Sequence, residues 1–326
     1  MSSCVAIEKQ TALWKEHDYM ETRIYKSFPI KSTLLMHVNG TICIFGAAAS
    51  NLVYWIPPPR EDLPFGDGTT NPDYIGSEDH GSLIHDLTAI NNTIYSCASD
   101  TTVKSWMLTN TGLVRQITYK TTMLSAAKCI SSCPERALFA TGSFSGIIYV
   151  FDSRSSNKPI SRYHPHTEEV TDLAMNTEYI LSVSSDQTVS VWDQRAGRTM
   201  KSITIPSYEY TFYISMRQDW VCVADAAAKL HMLNPKNDFE LVKSYSTEHS
   251  RTRGPFENIS GLHLSHGSLI TSFKDTVEIS CPTDPPKLIT TLRPKFHRIN
   301  SMDYLNDTLA VSGDFNIAIW RPKSTG

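Results

Sequence analysis

The feature that most constrains this sequence is a short unit of three apolar runs that recurs along the chain. Residues 166–195 show the unit most clearly, with apolar runs at 170–175, 179–183 and 189–192 separated by turn residues. Three short strands are only marginally stable alone in water, so each unit needs neighbours against which to bury its faces. The last position of the third run recurs at Trp55, Trp106, Phe151, Trp192, Leu233, Ser280 and Trp320. These copies lie about 40–50 residues apart, the period of a four-stranded repeat.

Two copies add polar residues where WD repeats, which these copies resemble, have a buried hydrogen-bonded tetrad, so the resemblance implies a structural set rather than catalysis. A turn Asp that contacts a His, which also reaches a Ser and an indole N–H, satisfies polar groups that would be costly to bury alone. The two sets are His80, Ser96, Asp100 and Trp106, and His166, Ser182, Asp186 and Trp192. A third copy keeps His297, Asp314 and Trp320. The copies ending at Trp55, Phe151 and Leu233 lack the Asp, so we expect them to rely on apolar packing.

The copies resemble WD repeats, with Trp192-Asp193 as the intact dipeptide and Phe151-Asp152 as a variant. That resemblance implies an all-β fold, a seven-bladed β-propeller whose blades surround a central channel. A propeller grows by repetition, so a chain of 326 residues fits a single domain of this kind.

The N-terminal residues are expected to close the ring. Residues 1–21 have a fair amphipathic pattern, which predicts a short helix. We therefore assign 1–21 to an N-terminal helical segment and 22–326 to the propeller. Because little chain follows Trp320, the last blade lacks an outer strand of its own. We predict that residues 22–28 supply this strand and protect the sheet edge.

Composition and motifs argue against several functional classes. A net charge of −3 gives no broad basic surface, so nucleic acid is not an expected partner. No apolar run of about 18 residues and no signal peptide are evident, so we expect an intracellular protein, cytoplasmic or nuclear, without a membrane partner. Seven cysteines show neither a disulfide framework nor a zinc pattern, and we expect no metal and no cofactor. A Gly-rich phosphate loop, GxSxG and HExxH are all missing, which predicts a binding protein rather than an enzyme.

A binding propeller would use the loops on one rim, because rigid blades hold those loops in place. By register with the copy around Asp186, this rim takes the loop entering each innermost strand and the residue before each turn Asp. The candidate partner-binding residues are Phe144, Glu168, Tyr208, Tyr210 and Arg298. Aromatic and Arg side chains often carry interface energy. For Tyr208 and Tyr210, simple coverage of a blade edge is an equal alternative.

A narrower resemblance is to the F-box/WD-repeat family. It rests on residues 4–14 (CVAIEKQTALW), residues 83–107 and above all residues 282–286 (PTDPP), which follow a copy without Trp. The resemblance implies a substrate-recognition subunit of an SCF-type cullin-RING ubiquitin ligase, in which an F-box docks on the adaptor and the propeller presents a target. The stretch before the predicted closing strand is shorter than an F-box, so either the sequence is N-terminally shortened or this homologue works without an F-box. In the second case we expect the chain to bind targets without joining the ligase.

Two other functions stay open. Residues 151–154 (FDSR) and 192–195 (WDQR) resemble the WDxR pattern of receptors that dock on the adaptor of cullin-4 ligases. This makes Arg154 and Arg195 possible adaptor-docking residues, although an Arg there also often forms an ion pair within its own blade. The last alternative is a scaffold with no ubiquitin connection. Residues 56–79, an acidic Pro- and Gly-rich insertion, are either a loop decoration or an arm that contacts a partner.

Overall fold

A computed structural model describes residues 4–14, 17–23, 29–57, 80–121, 125–207, 210–217, 220–247, 259–265 and 267–322. Within these ranges the chain forms seven antiparallel sheets arranged in a ring, each of them one blade. A single α-helix precedes the ring in the same ranges. The prediction of an all-β, seven-bladed β-propeller with a short N-terminal helix is therefore confirmed.

The elements follow the order of the chain. The N-terminal elements and blade 1 are α1 (Cys4–Leu13), β1 (His17–Arg23), β2 (Ile30–Val38), β3 (Thr41–Ala48) and β4 (Asn51–Trp55). Blades 2 and 3 are β5 (Ile84–Ile90), β6 (Thr93–Ala98), β7 (Thr102–Thr109), β8 (Gly112–Lys120), β9 (Ala127–Cys133), β10 (Leu138–Ser143), β11 (Ile148–Asp152) and β12 (Ser161–Tyr163). Blades 4 and 5 are β13 (Val170–Met175), β14 (Tyr179–Ser184), β15 (Thr188–Asp193), β16 (Arg198–Thr204), β17 (Thr211–Arg217), β18 (Trp220–Asp225), β19 (Lys229–Asn234) and β20 (Glu240–Ser246). Blades 6 and 7 are β21 (Gly261–Leu264), β22 (Leu269–Ser272), β23 (Val277–Cys281), β24 (Lys287–Leu292), β25 (Ser301–Leu305), β26 (Thr308–Gly313) and β27 (Asn316–Pro322).

Each blade is a meander that runs from the inner surface of the ring to its outer edge. The innermost strands contact one another around a closed circuit, in the order β2, β5, β9, β13, β17, β21, β25 and again β2. Blade 1 contributes three strands in the described part of the chain. The acidic insertion predicted after blade 1 lies outside the described residues beyond Pro57.

The core lies between neighbouring blades. Each second strand is covered on both faces, and β10 is buried along its whole length. Between blades 4 and 5, for example, Val183 and Val191 pack in one cluster with Val221 and Leu233. Fully burying one such side chain contributes about 1.5–3 kcal/mol. Double coverage explains why these strands are near-continuous apolar runs, and those runs made the repeat visible in the sequence.

The ring closes where β1 pairs antiparallel with β27, from His17 opposite Pro322 to Arg23 opposite Asn316. This makes β1 the outer strand of blade 7. The rings of Tyr19 and Trp320 lie 5.1 Å apart between centroids. Trp14, which follows α1, is buried in the apolar cluster of blades 6 and 7.

The closing strand lies earlier than the predicted residues 22–28, and the start of the propeller moves from residue 22 to His17. Residues 24–28 lie outside the described residues. The run at 22–28 contains more β-branched and aromatic residues, so strand propensity favoured it. The observed register instead brings Tyr19 opposite Trp320, a long-range contact that local propensity does not contain.

Three aspartates on innermost strands connect one blade to the next. Each accepts the backbone N–H of the following residue and a second N–H from the neighbouring blade. The bonds between blades are Ile130 N to Asp86 (3.0 Å), Ile214 N to Asp172 (2.9 Å) and Leu35 N to Asp303 (2.7 Å). The last of these joins blade 7 to blade 1, so it reinforces the closure of the ring.

Burial raises the pKa of all three carboxyl groups. The pKa values of Asp86 and Asp303 rise to about 6, and that of Asp172 rises to about 8. The negative charge of Asp86 adds to the rise at the other two. The backbone N–H groups oppose the rise, because they stabilise the ionised form.

Removing the Asp303 carboxylate should weaken the seam between blades 7 and 1. Asp303→Ala leaves the N–H of the buried Leu35 without its acceptor, which costs about 1–3 kcal/mol. Urea unfolding measures the loss. Asp284→Ala is the control, because the contacts of Asp284 with Lys243 and Tyr245 lie at the surface and contribute little. Equal losses in the two variants would contradict the role given to Asp303.

The raised pKa of Asp172 should appear in the pH dependence of stability. A carboxyl group whose folded pKa lies above its unfolded value stabilises the fold fully below the unfolded pKa, about 4, and loses that contribution as pH rises to the folded pKa, here about 8. Wild type should therefore lose unfolding free energy relative to Asp172→Asn between about pH 4 and pH 8 in urea titrations, with no further loss above pH 8. Glu178→Gln, an exposed carboxylate on a hairpin, is the control. A difference that is constant with pH would show that Asp172 does not titrate in this range.

Candidate functional site

One rim of the ring is defined by a hydrogen bond that recurs in successive blades. The residue just before the innermost strand accepts, through its carbonyl, the N–H of the residue just after the second strand. The bonds are Ser99 N to Leu83 O (2.8 Å), Phe144 N to Ala126 O (3.1 Å), Ser185 N to Glu169 O (3.1 Å) and Ala226 N to Tyr210 O (2.9 Å). These residues therefore occupy equivalent positions in blades 2, 3, 4 and 5. We call this edge of the ring the upper rim.

The upper-rim loops of blade 2 are held by the predicted polar set. His80 Nδ1 lies 2.8 Å from Asp100 Oδ2, and His80 Nε2 lies 2.7 Å from Ser96 Oγ. Trp106 Nε1 donates to the same Ser96 oxygen at 2.8 Å, so all four side chains are connected. Burial alone would raise the pKa of Asp100, but hydrogen bonds from His80 and Thr102 outweigh burial and hold this pKa well below its usual value. The ionised carboxylate thus fixes both loops.

In blade 4, three of the four predicted residues form the buried polar set, and Trp192 lies outside it. His166 lies 3.2 Å from Asp186 and 2.7 Å from Ser182. Trp192 is only half-buried and stacks on Tyr163 of blade 3, with ring centroids 3.8 Å apart. Trp192 was expected to complete the buried set and does not, because its ring packs on an aromatic ring of the neighbouring blade.

Blade 5 contains a different polar network, which the sequence analysis missed because the turn position holds Ala227. Two residues earlier, Asp225 accepts a hydrogen bond from Ser207 at 2.6 Å and lies 3.1 Å from His231 Nε2. His231 Nδ1 lies 2.8 Å from Ser244 Oγ. Burial opposes ionisation of Asp225, but hydrogen bonds from His231 and Ser207 outweigh it and lower the pKa. The signal in the sequence was an Asp and a His on either side of one short hairpin turn.

The third partial set has a different arrangement from the prediction. His297 is exposed rather than buried beside Asp314. Trp320 packs on the ring of Tyr19 in the closing strand instead of on a polar side chain.

Phe144 on the upper rim is 42% exposed, and side chains of its own and the neighbouring blades contact its ring. The His85 ring meets it edge-on at 5.3 Å between centroids, and Lys128 Nζ lies 5.2 Å from its centroid. Lys128 also forms an ion pair with Glu169 at 2.7 Å. His85 Nε2 lies 2.6 Å from Ser99 Oγ. Side chains from blades 2, 3 and 4 therefore fix Phe144 while part of its ring stays open to solvent.

The repeat pattern marks Phe144 as a rim residue but does not mark the side chains that support it. His85 and Lys128 lie at the start of innermost strands, where the repeat pattern marks only apolar positions as informative. Burial and the nearby charges of Lys128 and Lys31 lower the pKa of His85. His85 is therefore neutral at pH 7 and packs as an aromatic ring.

The other predicted partner-binding residues divide into three groups. Tyr210 is 56% exposed on blade 5, and Glu168 is exposed on the loop that enters blade 4. Tyr208 lies outside the described residues. Arg298 is exposed on the loop entering blade 7, beside the blade 6 turn at Lys274, on a different sector of the rim.

One further exposed apolar residue on the rim was missed, Leu83 at the entrance to blade 2, which is 48% exposed. It precedes a strand rather than belonging to one, so strand patterning gave no signal for it. We call Leu83, Phe144, Glu168 and Tyr210 the rim patch. These residues follow one another across blades 2, 3, 4 and 5.

Arg154 and Arg195 follow the third strands of blades 3 and 4, at the end of the blades opposite the upper rim. Arg154 forms a two-pronged ion pair with Asp152, with Nε–Oδ1 and Nη2–Oδ2 distances of 3.0 and 2.8 Å. Arg195 is exposed and contacts Asp193 through its backbone N–H. Arg154 therefore forms the within-blade ion pair that was the alternative to adaptor docking.

Among the described residues, no group of three or more His, Cys, Asp or Glu side chains is placed to hold a metal ion. The free and buried cysteines are Cys43, Cys97, Cys129, Cys133, Cys222 and Cys281. Its helix is too short and too polar to cross a membrane.

Comparisons with known proteins agree with this architecture. The family model described as "WD domain, G-beta repeat" matches residues 157–193, which include most of blade 4. F-box/WD repeat-containing protein 9 of Homo sapiens is 26% identical over 329 residues, covering 98% of this chain and 68% of that protein. F-box/WD repeat-containing protein mec-15 of Caenorhabditis elegans is 24% identical over 276 residues, covering 82% and 64%. Ribosome biogenesis protein YTM1 of Candida albicans is 34% identical over 116 residues, covering 34% and 24%.

The fold, the buried polar sets and the repeat match together define a WD-repeat β-propeller, a class that generally serves as a non-enzymatic scaffold for protein interactions. Within that class the chain is similar, over nearly all of its length, to F-box/WD repeat-containing protein 9.

Gly146 should be essential to the rim between blades 3 and 4. Its φ is 78°, and a Cβ there would lie 2.1 Å from the His166 oxygen and 2.8 Å from the Glu168 oxygen. Gly197 has a φ of 63° with no atom within 4 Å of its Cβ position, so Gly197→Ala carries only the left-handed backbone cost of about 1–2 kcal/mol. We expect a larger loss of unfolding free energy for Gly146→Ala in urea titrations. Equal losses would contradict the close packing of these two loops.

Proposed function

We propose that this chain binds a protein target through its upper rim and serves as the target-recognition part of an SCF-type cullin-RING ubiquitin ligase receptor, in the cytoplasm or nucleus. The observation that carries target binding is the exposed Phe144, fixed by His85 and Lys128. Central aromatic residues of this kind often anchor protein interfaces.

The rigidity of the site supports this function. The loops around Phe144 are tied to buried His80–Asp100 and His166–Asp186 contacts, so little conformational freedom is lost when a partner binds. Preorganisation of this kind raises affinity because it lowers the entropic cost of association.

The ligase part of the proposal rests on similarity. Two of the matching proteins carry the name F-box/WD repeat-containing protein 9, and the match covers nearly the whole propeller. In the proposed mechanism the propeller performs no bond chemistry, and it holds the target at a fixed position relative to ligase subunits that transfer ubiquitin.

Affinity capture from cells with mass spectrometry tests target binding. The double variant Phe144→Ala/Tyr210→Ala should lose its targets, because a central anchor contributes about 2 kcal/mol or more. Met107→Ala should retain them, since Met107 is similarly exposed at 40% but lies on the third strand of blade 2. Retention of every captured protein by the double variant would contradict binding at this rim.

The half-life of each captured target tests the ligase role separately. Depletion of this protein should lengthen that half-life and reduce target ubiquitination. Unchanged turnover of all targets would refute the ligase role, leave target binding intact and favour a scaffold.

A cullin-4 receptor is the second candidate, and the exposed Arg195 favours it. Its guanidinium forms no ion pair with the described residues, unlike that of Arg154. Arg154→Ala/Arg195→Ala should then abolish capture of the cullin-4 adaptor without changing the melting temperature. Capture of cullin-1 subunits that is unaffected by these substitutions would instead support the SCF-type assignment.

A further inference from the structure

Of the two adjacent glutamates at the rim patch, one is paired with a cation and the other is not. Lys128 is paired with Glu169 at 2.7 Å, so this cation and this anion neutralise each other beside Phe144. Glu169 also accepts a hydrogen bond from Ser185 at 3.1 Å. The adjacent Glu168 is exposed and forms no ion pair with the described residues. The patch therefore presents one open negative charge.

Backbone packing places this charge beside the aromatic anchor. The blade 3 turn that begins at Phe144 presses Gly146 against the backbone oxygens of His166 and Glu168. His164 Nε2 lies 2.9 Å from the carbonyl oxygen of Ser145 in the same turn. Phe144 and Glu168 thus lie on the two sides of one tight contact between blades 3 and 4.

The loop that enters blade 5 is also held against the preceding blade. The N–H of Ile205, directly after the outer strand of blade 4, donates to the carbonyl oxygen of Gln187 in the blade 4 turn at 3.0 Å. This loop leads to Tyr210, whose ring is exposed. The order along the rim is therefore apolar at Leu83 and Phe144, negative at Glu168 and aromatic at Tyr210.

From this order we propose that the rim patch binds an extended peptide segment that carries a Lys or Arg between two apolar side chains. The inference rests on the proposed target-binding function and specifies the chemistry of the target. The apolar side chains would cover Phe144 with Leu83 on one side and Tyr210 on the other. The cation would pair with Glu168, within reach of the faces of two aromatic rings.

Charge also determines what the patch rejects. An acidic segment would meet the uncompensated Glu168, and like charges across an interface are costly. The exposed cations Lys274 and Arg298 lie on blades 6 and 7 instead, whereas Lys31 of blade 1 lies near His85, at the Leu83 end of the patch. Acidic segments should therefore bind that sector of the rim, if they bind, and leave the rim patch free.

Selection of a random displayed peptide library on the full chain tests the proposal. Enriched peptides should share a Lys or Arg flanked by apolar residues. Fluorescence anisotropy then gives the Kd of one enriched peptide for the wild type and for rim variants. Glu168→Gln should weaken binding by about tenfold or more, the lower end of what a charge-assisted hydrogen bond contributes. Phe144→Ala should weaken it by a similar factor.

Matched controls separate this effect from general damage. Glu178→Gln removes the same charge from the same blade, but Glu178 lies on the hairpin between β13 and β14 at the opposite rim, so the Kd should not change. Glu168→Lys should abolish binding of the basic peptide, and a peptide with Glu in place of its cation should restore binding to that variant.

The possible failures are distinguishable. Enrichment of acidic peptides, or a Kd that Glu168→Gln leaves unchanged, would overturn the inference about target chemistry. If capture from cells still depends on Phe144 and Tyr210 in that case, target binding at the rim stands. If capture does not depend on them either, the proposed function fails as well.

Discussion

The pairing of β1 with β27 is the contact on which the rest of the structure depends. Seven blades each bury their faces against two neighbours, so a ring that opened at one seam would expose the apolar faces of blades 7 and 1 and an unpaired sheet edge. The Tyr19–Trp320 contact fixes the register of the closing strand. The bond from Leu35 N to Asp303 joins the innermost strands of blades 7 and 1 on the channel side. Closure thus combines an outer aromatic contact with an inner polar one.

Buried polar groups hold the upper-rim loops in fixed positions on the closed ring. In blade 2 an ionised Asp contacts a His and fixes two loops, and in blade 5 a different Asp and His do so from other positions in the repeat. Such groups would be costly to bury without partners, so their complete networks also favour one arrangement of each loop. The open ring of Phe144 depends on this support, because an aromatic side chain on a mobile loop would lose entropy on binding.

The number and period of the blades could be predicted from the sequence, because the second strand of each blade is covered on both faces and is therefore an apolar run. It also marked Phe144, Glu168 and Tyr210 as rim positions, since register with the Asp186 turn carries over from blade to blade. Contacts between distant residues were not accessible in this way. The closing strand was assigned to 22–28 by propensity, whereas its register depends on a partner almost 300 residues away. Leu83 could not be predicted for a related reason, because a residue that precedes a strand lies outside the apolar pattern of that strand.

Native-state hydrogen exchange of the β1 amides that donate to β27 tests the role of closure most directly. If the closing strand holds the ring together, these amides should exchange only with the global unfolding event that also exposes β14 in blade 4, and with the same free energy. Exchange of β1 that is many-fold faster while β14 stays protected would show that the strand opens independently. The ring would then be stable without its closure, contrary to this account.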